Sequence, residues 1–589
     1  MIMKSNFFLI YLFILVTYSG IAQTYKVHSH NDYEQNVPFW KAYSAGVSSI
    51  EADVFLIEGE LIVAHQFKEI NSASTLKRLY LEPLRETLEL GLFSHNSLQL
   101  LIDIKSEALT TMDALIALFK EYPMIIENPK ISIVISGNRP PSSKYVNYPD
   151  FIFFDYQSLD KIDDPYILSK IGLISLSFRN FTSWNGKGRL TQEDLERITE
   201  VVKKAHSFKK PFRFWATPDS KTSWKTMREL GVDYINTDHP FECIQYINSL
   251  PDRIYTNKED SEVYKPTFEK DGVDKTPKNV ILMIGDGNGL AQISAAALAN
   301  GGSLSLTQLK NIGFLKTQSG DDFTTDSAGA ATAMATGEKV RNRAIGVDIK
   351  GEAIPNLMEE LHSKGFSTTI ITTDEITGAT PASFYAHQKD RSMTTPILKD
   401  LGKSNLDIFI ASRSGEKYNE EELLGFNMME SLEDLQKNKN KKIGFHFIND
   451  TIPAPLNTAV KTVLKNLNRS NKPFFLMVEG AKIDSYGHAN KIDGVIKEGI
   501  AFDKAVAESL KFADTNKNTL VIITADHETG GLTLPQGNVE NRTIEGDFTT
   551  DDHTGVFVPI FSYGPKSNLF QGFYDNTQVY HKIRMAIEF

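Results

Sequence analysis

The stretch Thr325-Asp326-Ser327-Ala328-Gly329-Ala330-Ala331-Thr332-Ala333 places a hydroxyl beside a carboxylate at the head of a run of small, helix-compatible residues. The first turn of a helix leaves backbone N–H groups unpaired and carries positive partial charge, so an anion such as a phosphate ester is stabilised there before any side chain acts. Ser327 would point at that anion as a nucleophile. Read alone, Asp-Ser before an Ala-rich helix is also an ordinary N-cap, and the rest of the chain has to decide between the two.

A second set of polar residues follows apolar runs. Asn279-Val280-Ile281-Leu282-Met283-Ile284 leads into Gly285-Asp286-Gly287, Ser367–Thr373 precedes Thr380, Phe474–Val478 leads into Glu479, and Leu520–Thr524 into Asp526-His527. Asp484, His488 and His553 complete the group, the first two spaced to share one helical face. Open α/β sheets place ligands just past the C-terminal ends of their strands. Carboxylates mixed with imidazoles suit Zn²⁺, and carboxylate and hydroxyl oxygens alone suit Mg²⁺.

The first half of the chain offers a third set. One run ends in His28-Ser29-His30-Asn31-Asp32, the next holds Glu51-Ala52-Asp53, and another Leu101-Ile102-Asp103-Ile104-Lys105. Alternate strand residues face the same way, so Glu51 and Asp53 project together and Asp103 can close a three-carboxylate cage for one Mg²⁺ or Ca²⁺. His30 and His65 are then placed to act as base and acid on either side of it. Lys105 and Trp215 are candidate phosphate and leaving-group contacts; the plain alternative is an ordinary polar barrel mouth.

These residues need elements to hold them. Eight β-rich runs alternate with amphipathic segments: Tyr25–His28, Ser48–Leu56, Leu98–Ile104, Ile131–Ser136, Phe151–Tyr156, Gly172–Ser177, Pro211–Ala216 and Tyr234–Thr237. The pattern predicts a (β/α)8 TIM barrel over 23–250, with its site at the C-terminal strand ends. Residues 251–277 are polar without sustained apolar period and read as a linker or surface-wrapping strap. A second α/β domain is expected over 278–589.

At 589 residues the chain exceeds a single core. Its 63 Lys and Arg against 74 Asp and Glu, with no basic stripe, argue against nucleic-acid binding. Met1-Ile2-Met3-Lys4, the apolar run from Phe7 to Val16 and Gly20-Ile21-Ala22 read as a secretory signal peptide over 1–22, which predicts a secreted or periplasmic protein. No stretch is long enough to predict a membrane span. Cys243, the single thiol, cannot form an internal disulfide and reads as a core residue.

Residues 279–589 resemble the alkaline phosphatase family. The matching stretches are Gly285-Asp286-Gly287, Thr325-Asp326-Ser327-Ala328, Ala379-Thr380-Pro381-Ala382, Ala386-His387 with Arg391, Val478-Glu479-Gly480-Ala481, Ile483-Asp484 with His488-Ala489, Thr524-Ala525-Asp526-His527-Glu528, and His553-Thr554-Gly555. The resemblance implies an α/β/α sandwich holding two Zn²⁺ and one Mg²⁺. Asp484, His488 and His553 would hold one zinc, and Asp286, Asp526 and His527 the other. Asp286 would bridge towards a Mg²⁺ on Thr380 and Glu479, with Ser327 as nucleophile and Arg391 as phosphate clamp. Two positions depart from the family: Gly378 stands where well-known members carry Asp or His, and Ser485 where Lys or His is common.

Residues 25–245 resemble the phospholipase-C-like phosphodiesterases, which include glycerophosphodiester phosphodiesterases. Glu51-Ala52-Asp53, His65, Leu101-Ile102-Asp103-Ile104-Lys105 and Gly231-Val232-Asp233-Tyr234-Ile235-Asn236-Thr237-Asp238 carry the match, although His30-Asn31-Asp32 replaces the usual His-Arg-Gly. Together the two resemblances imply a bifunctional phosphoesterase acting on small phosphodiesters and phosphomonoesters. The alternative is a phosphatase carrying a non-catalytic barrel used for binding or targeting. A sulfatase is excluded, because Ser327 is followed by Ala328-Gly329-Ala330 rather than X-Pro-X-Arg. A homodimer remains open on the sequence.

Overall fold

The computed structural model describes residues 25–413, 423, 425–436, 442–448 and 455–589; the signal-peptide reading of 1–22 lies outside them. The chain divides after Leu250 into two compact units.

In the first unit eight parallel strands close on themselves: Lys26–Ser29, Ser49–Ile57, Leu98–Ile104, Ile131–Gly137, Ile152–Tyr156, Ile171–Ser177, Phe212–Trp215 and Tyr234–Thr237. Closure occurs because Lys26–Ser29 pairs with both Ser49–Ile57 and Tyr234–Thr237. This is the barrel expected from the sequence, with strand limits within one residue of those read there. An additional strand, Glu60–Val63, folds back antiparallel on Ser49–Ile57 through Glu58 and Gly59, both at positive φ, the backbone of a tight two-residue hairpin. The hairpin returns the chain to the barrel mouth and so delivers His65. Cys243 is buried on the helix Pro240–Arg253, and burial raises its thiol pKa, as suits an inert core cysteine.

The second unit is built on a ten-stranded sheet. Its centre is Asn279–Gly285, parallel to Phe474–Gly480 on one side and Thr519–Thr524 on the other. Ile281 and Met283 enter one core with the helices Leu290–Ala299, Leu456–Ser470 and Ile492–Asn516. Val280, Leu282 and Ile284 enter the opposite core with Ser327–Thr336, Leu357–Ser363, Thr394–Lys403 and Gln578–Ala586. Burial on both faces is why this strand is a continuous apolar run rather than an alternating one.

Residues 251–277 run along this second unit as a strap. Ile254–Thr256 pairs antiparallel with Thr543–Asp547, the Tyr264 hydroxyl donates to Asp514 at 2.6 Å, and Phe268 N–H donates to the Tyr563 hydroxyl at 3.0 Å. No helix among the described residues is long and apolar enough to cross a membrane.

Candidate active sites

Ser327 opens the helix Ser327–Thr336 and is buried. Asp326 is that helix's N-cap: its Oδ1 accepts from Gly329 N–H at 2.9 Å and from Arg343 N–H at 2.9 Å. Its Oδ2 accepts from Arg391 Nη1 at 3.0 Å. The cap therefore satisfies helix donors and also holds a guanidinium next to the serine. Ser327 Oγ lies 3.3 Å from His527 Nε2.

Around the serine the sheet's strand ends bring the expected ligands together. Asp286, Asp526 and His527 form one group in which a donor atom from each lies within 4.8 Å of the others, and Asp484, His527 and His553 form a second. His488 joins the latter, its Nε2 being 3.1 Å from His553 Nε2 and 3.4 Å from Asp484 Oδ2. Glu479 stands opposite Thr372 in the parallel register, and the Thr372 hydroxyl donates to its Oε2. Thr380 lies in the short helix Ala379–Ala382.

Three buried oxygens here have no hydrogen-bond partner: Asp286 Oδ1, Asp526 Oδ2 and Thr380 Oγ1. Among the described residues, neither Asp286, Asp526 nor Glu479 forms an ion pair with Lys or Arg. Isolated buried carboxylates are costly, and they respond by holding their protons. Burial, then the charge of Asp484, pushes Asp526 up to about 7. Burial and Asp374 push Glu479 up to about 8. Asp286 is raised well above its ordinary range by burial and by Asp526. His527 is depressed to about 3 by burial and by His553, whose ring stacks on it with centroids 3.5 Å apart. For Asp484, burial is outweighed by the hydrogen bond from His553, which keeps it ionised. Unpaired carboxylates, facing imidazole nitrogens and an orphaned hydroxyl are the donor set that divalent cations satisfy.

In the barrel, Asp53 and Asp103 face each other across neighbouring strands, and Glu51 joins them as a third potential ligand. Gly137, at φ +68°, closes the next strand; a Cβ there would overlap the Asp103 carboxylate. The cage is already partly neutralised. Lys105 Nζ lies 2.9 Å from both Asp53 Oδ2 and Asp103 Oδ1. Arg213 Nη1 lies 2.8 Å from Glu51 Oε2, and His28 Nε2 lies 2.6 Å from the same oxygen. Asp53 Oδ1 remains buried without a partner and leaves room for a cation's charge. Burial, then Glu51, raises Asp103 to about 6; for Glu51 itself, Arg213 overcomes burial and holds it low.

His65 Nδ1 lies 3.1 Å from Asp53 Oδ2 and 3.2 Å from the Tyr33 hydroxyl. His30 Nδ1 lies 2.7 Å from Asp238 Oδ1. Both imidazoles line a cavity of about 400 Å³ together with Lys105, Gln157, Arg213 and Trp215.

His28, Tyr33, Arg213 and Asp238 are site residues that the sequence reading did not assign. Arg213 left a usable signal, a lone charge between Phe212 and Phe214 on a barrel strand. Asp238 closes the 231–238 stretch that carries the phosphodiesterase resemblance, and its place beside His30 was the part not read; Tyr33 left no signal, because a loop turn brings it to His65.

The alkaline phosphatase family model matches residues 277–409, 415–545 and 536–589. Alkaline phosphatase 4 of Bacillus subtilis strain 168 is 30% identical over 400 residues, covering 51% of this chain and 86% of that protein. Alkaline phosphatase 3 of the same strain is 28% identical over 422 residues, covering 54% and 91%. A mutant alkaline phosphatase from the Antarctic bacterium TAB5, solved with Mg in its M3 site, superposes with a TM-score of 0.50 at 36% identity, covering 54% of this chain and 99% of that one. In the first unit, an AIM6-like phosphodiesterase domain matches residues 18–99, and the glycerophosphoryl diester phosphodiesterase family matches residues 211–240.

Proposed function

Because this chain belongs to the alkaline phosphatase family through residues 277–589, we propose that it hydrolyses phosphomonoesters through a phosphoseryl intermediate on Ser327 and that its barrel generates those monoesters from a diester. In this reading Asp484, His488 and His553 hold one Zn²⁺, Asp286, Asp526 and His527 a second, and Thr380 and Glu479, with Asp286, a Mg²⁺. Bound cations would lower the pKa of a nearby hydroxyl or water and neutralise charge that develops on the phosphate.

The chain's own groups do the rest. Ser327 Oγ attacks phosphorus and the substrate's ester oxygen departs; water then attacks the phosphoseryl ester and frees Ser327. Two displacements leave the configuration at phosphorus unchanged. Arg391 presents a planar fork to two phosphate oxygens, and Asp326 fixes that fork's position. The unpaired N–H groups of the helix that Ser327 begins stabilise the same anion. The observation that carries this reading is one buried serine beside an anchored arginine and a cluster of metal-type donors in which the buried Asp286 and Asp526 each keep an oxygen without a hydrogen-bond partner. Acid quenching during turnover, followed by mass spectrometry, should find phosphate on the Ser327 peptide. Absence of that adduct together with an active Ser327→Ala variant would refute it.

For the barrel, the proposed metal is one Mg²⁺ or Ca²⁺ on Glu51, Asp53 and Asp103, with His30 and His65 exchanging protons with the attacking water and the leaving alcohol. Asp53 and Asp238 fix the rings through Nδ1, which leaves each Nε2 for that work. A cyclic phosphate would be useless to the serine site, so the barrel must complete hydrolysis to the monoester. The N-terminal residues 1–22 support export of the enzyme to the periplasm or beyond.

A further inference from the structure

The barrel cavity of about 400 Å³ has a wall that the carboxylate cage and the imidazoles do not use. Asn138 and Gln157 line it, each following the end of one of the next two strands beyond Asp103, Ile131–Gly137 and Ile152–Tyr156. Neither lies in the stretches that match phosphodiesterase families. Both amides spend their N–H groups on the protein. Asn138 Nδ2 donates to the carbonyls of Ser106 at 3.1 Å and Lys105 at 3.3 Å. Gln157 Nε2 donates to Ser136 Oγ at 3.1 Å and Asp155 Oδ2 at 3.2 Å. Asp155 is buried, and the same oxygen accepts from the hydroxyls of Ser175 at 2.6 Å and Ser136 at 2.9 Å. Carbonyls and carboxylates only accept, so neither amide can be turned end for end without losing these bonds. What each amide has left is an acceptor: among the described residues, nothing donates to Asn138 Oδ1 or Gln157 Oε1.

We propose that Asn138 and Gln157 determine the barrel's specificity by accepting hydrogen bonds from the free hydroxyls of an uncharged polyol, which selects its phosphodiesters over those of alkyl or choline-type alcohols. The inference rests on the phosphodiesterase reading of the barrel and names the alcohol which that reading leaves open. The phosphate of a diester brings only acceptors and cannot satisfy two amide oxygens; hydroxyl groups can. An ammonium group also donates, but Lys105 and Arg213 line the same cavity and disfavour a cationic alcohol there. Trp215, 38% exposed on that cavity, offers an aromatic face to the C–H side of a polyol. Asp155 is then a positioning residue: it holds the donor end of Gln157 and so leaves the acceptor end for the ligand.

The test follows the loss of methyl glyceryl, methyl propyl and methyl choline phosphate, diesters that differ in one alcohol only, by phosphorus NMR with the full-length, metal-loaded protein. Wild type should use the glyceryl ester with a kcat/KM about ten- to a hundredfold above the other two, the range expected for two hydrogen bonds made or lost in a partly open site. Asn138→Ala and Gln157→Ala should each cut that preference about five- to tenfold by slowing the glyceryl ester, while the propyl ester changes by less than about twofold. Damage to the fold would slow all three esters together, and that result, or a preference that survives both substitutions, would overturn the proposal. A wild type that treats the three alike, or prefers the propyl or choline ester, would overturn it too. If wild type cleaves none of them, the phosphodiesterase reading fails instead; calorimetric binding of the same esters then decides the subsite by itself, tighter binding of the glyceryl ester supporting it and equal affinities for the glyceryl and propyl esters overturning it.

Discussion

The serine site and the barrel site both gather carboxylates and histidines, yet they manage the resulting charge in opposite ways. In the sheet-based unit Asp286, Asp526 and Glu479 are buried with no Lys or Arg paired to them among the described residues, and two of the orphaned oxygens are theirs. In the barrel Lys105 bridges Asp53 and Asp103, and Arg213 sits on Glu51. In the reading proposed above, the first design leaves its unpaired carboxylates to be balanced by metal ions. The second balances most of its charge with the protein and reserves one carboxylate face. Strong metal dependence should therefore belong to the serine site, and the barrel should hold its shape with or without an ion.

The largest effect is expected for Ser327→Ala, which should reduce phosphomonoester turnover by about four orders of magnitude or more, because an absent nucleophile cannot be replaced in place. Elemental analysis should still find its zinc, since Asp286, Asp526 and His527 are intact. Residual turnover near wild type would end the covalent mechanism. A step smaller is Arg391→Ala. Losing charge-assisted hydrogen bonds worth about 1.5–3 kcal/mol each should weaken inhibition by inorganic phosphate and lower kcat/KM by about ten- to a hundredfold for each bond lost, while the barrel's activity on a diester stays as it was. Unchanged phosphate inhibition would remove Arg391 from the clamp.

Chelation separates the two designs without mutation. Stripping ions held at a hundred times their Kd removes about 2.7 kcal/mol of stability per site, or about 4 °C of melting temperature for a unit as long as residues 251–589. Hydrogen exchange on peptides from each unit should show the sheet-based unit loosening around Asp286, Asp484 and His527, with the barrel strands protected as before. Greater loosening in the barrel would mean that Lys105 and Arg213 do not balance its carboxylates in the way described.

Much of this was legible in the sequence, for physical reasons that differ between the units. Val280–Ile284 announces a strand buried on both faces, and Glu51 and Asp53 follow directly from strand alternation. The barrel's eight strands came through because each apolar run is bounded by polar segments. Where several side chains meet only through tertiary packing, sequence was silent. The hairpin that delivers His65 and the Tyr33 hydroxyl between His65 and Asp53 depend on turns and close approaches that no periodicity records. Asp326 shows the intermediate case: its cap was visible, but its second oxygen's grip on Arg391, 65 residues away, was not.

Product analysis on a single phosphodiester, a glycerophosphodiester or an inositol-type diester, tests the two-site account most directly. The account predicts that wild type releases inorganic phosphate, that Ser327→Ala stops at the monoester and accumulates it, and that His65→Ala leaves the diester intact while still dephosphorylating an added monoester. The two sites share no ligand, so damage to one should not spread to the other. Diester turnover that survives His65→Ala unchanged would contradict the account and make the barrel a binding module.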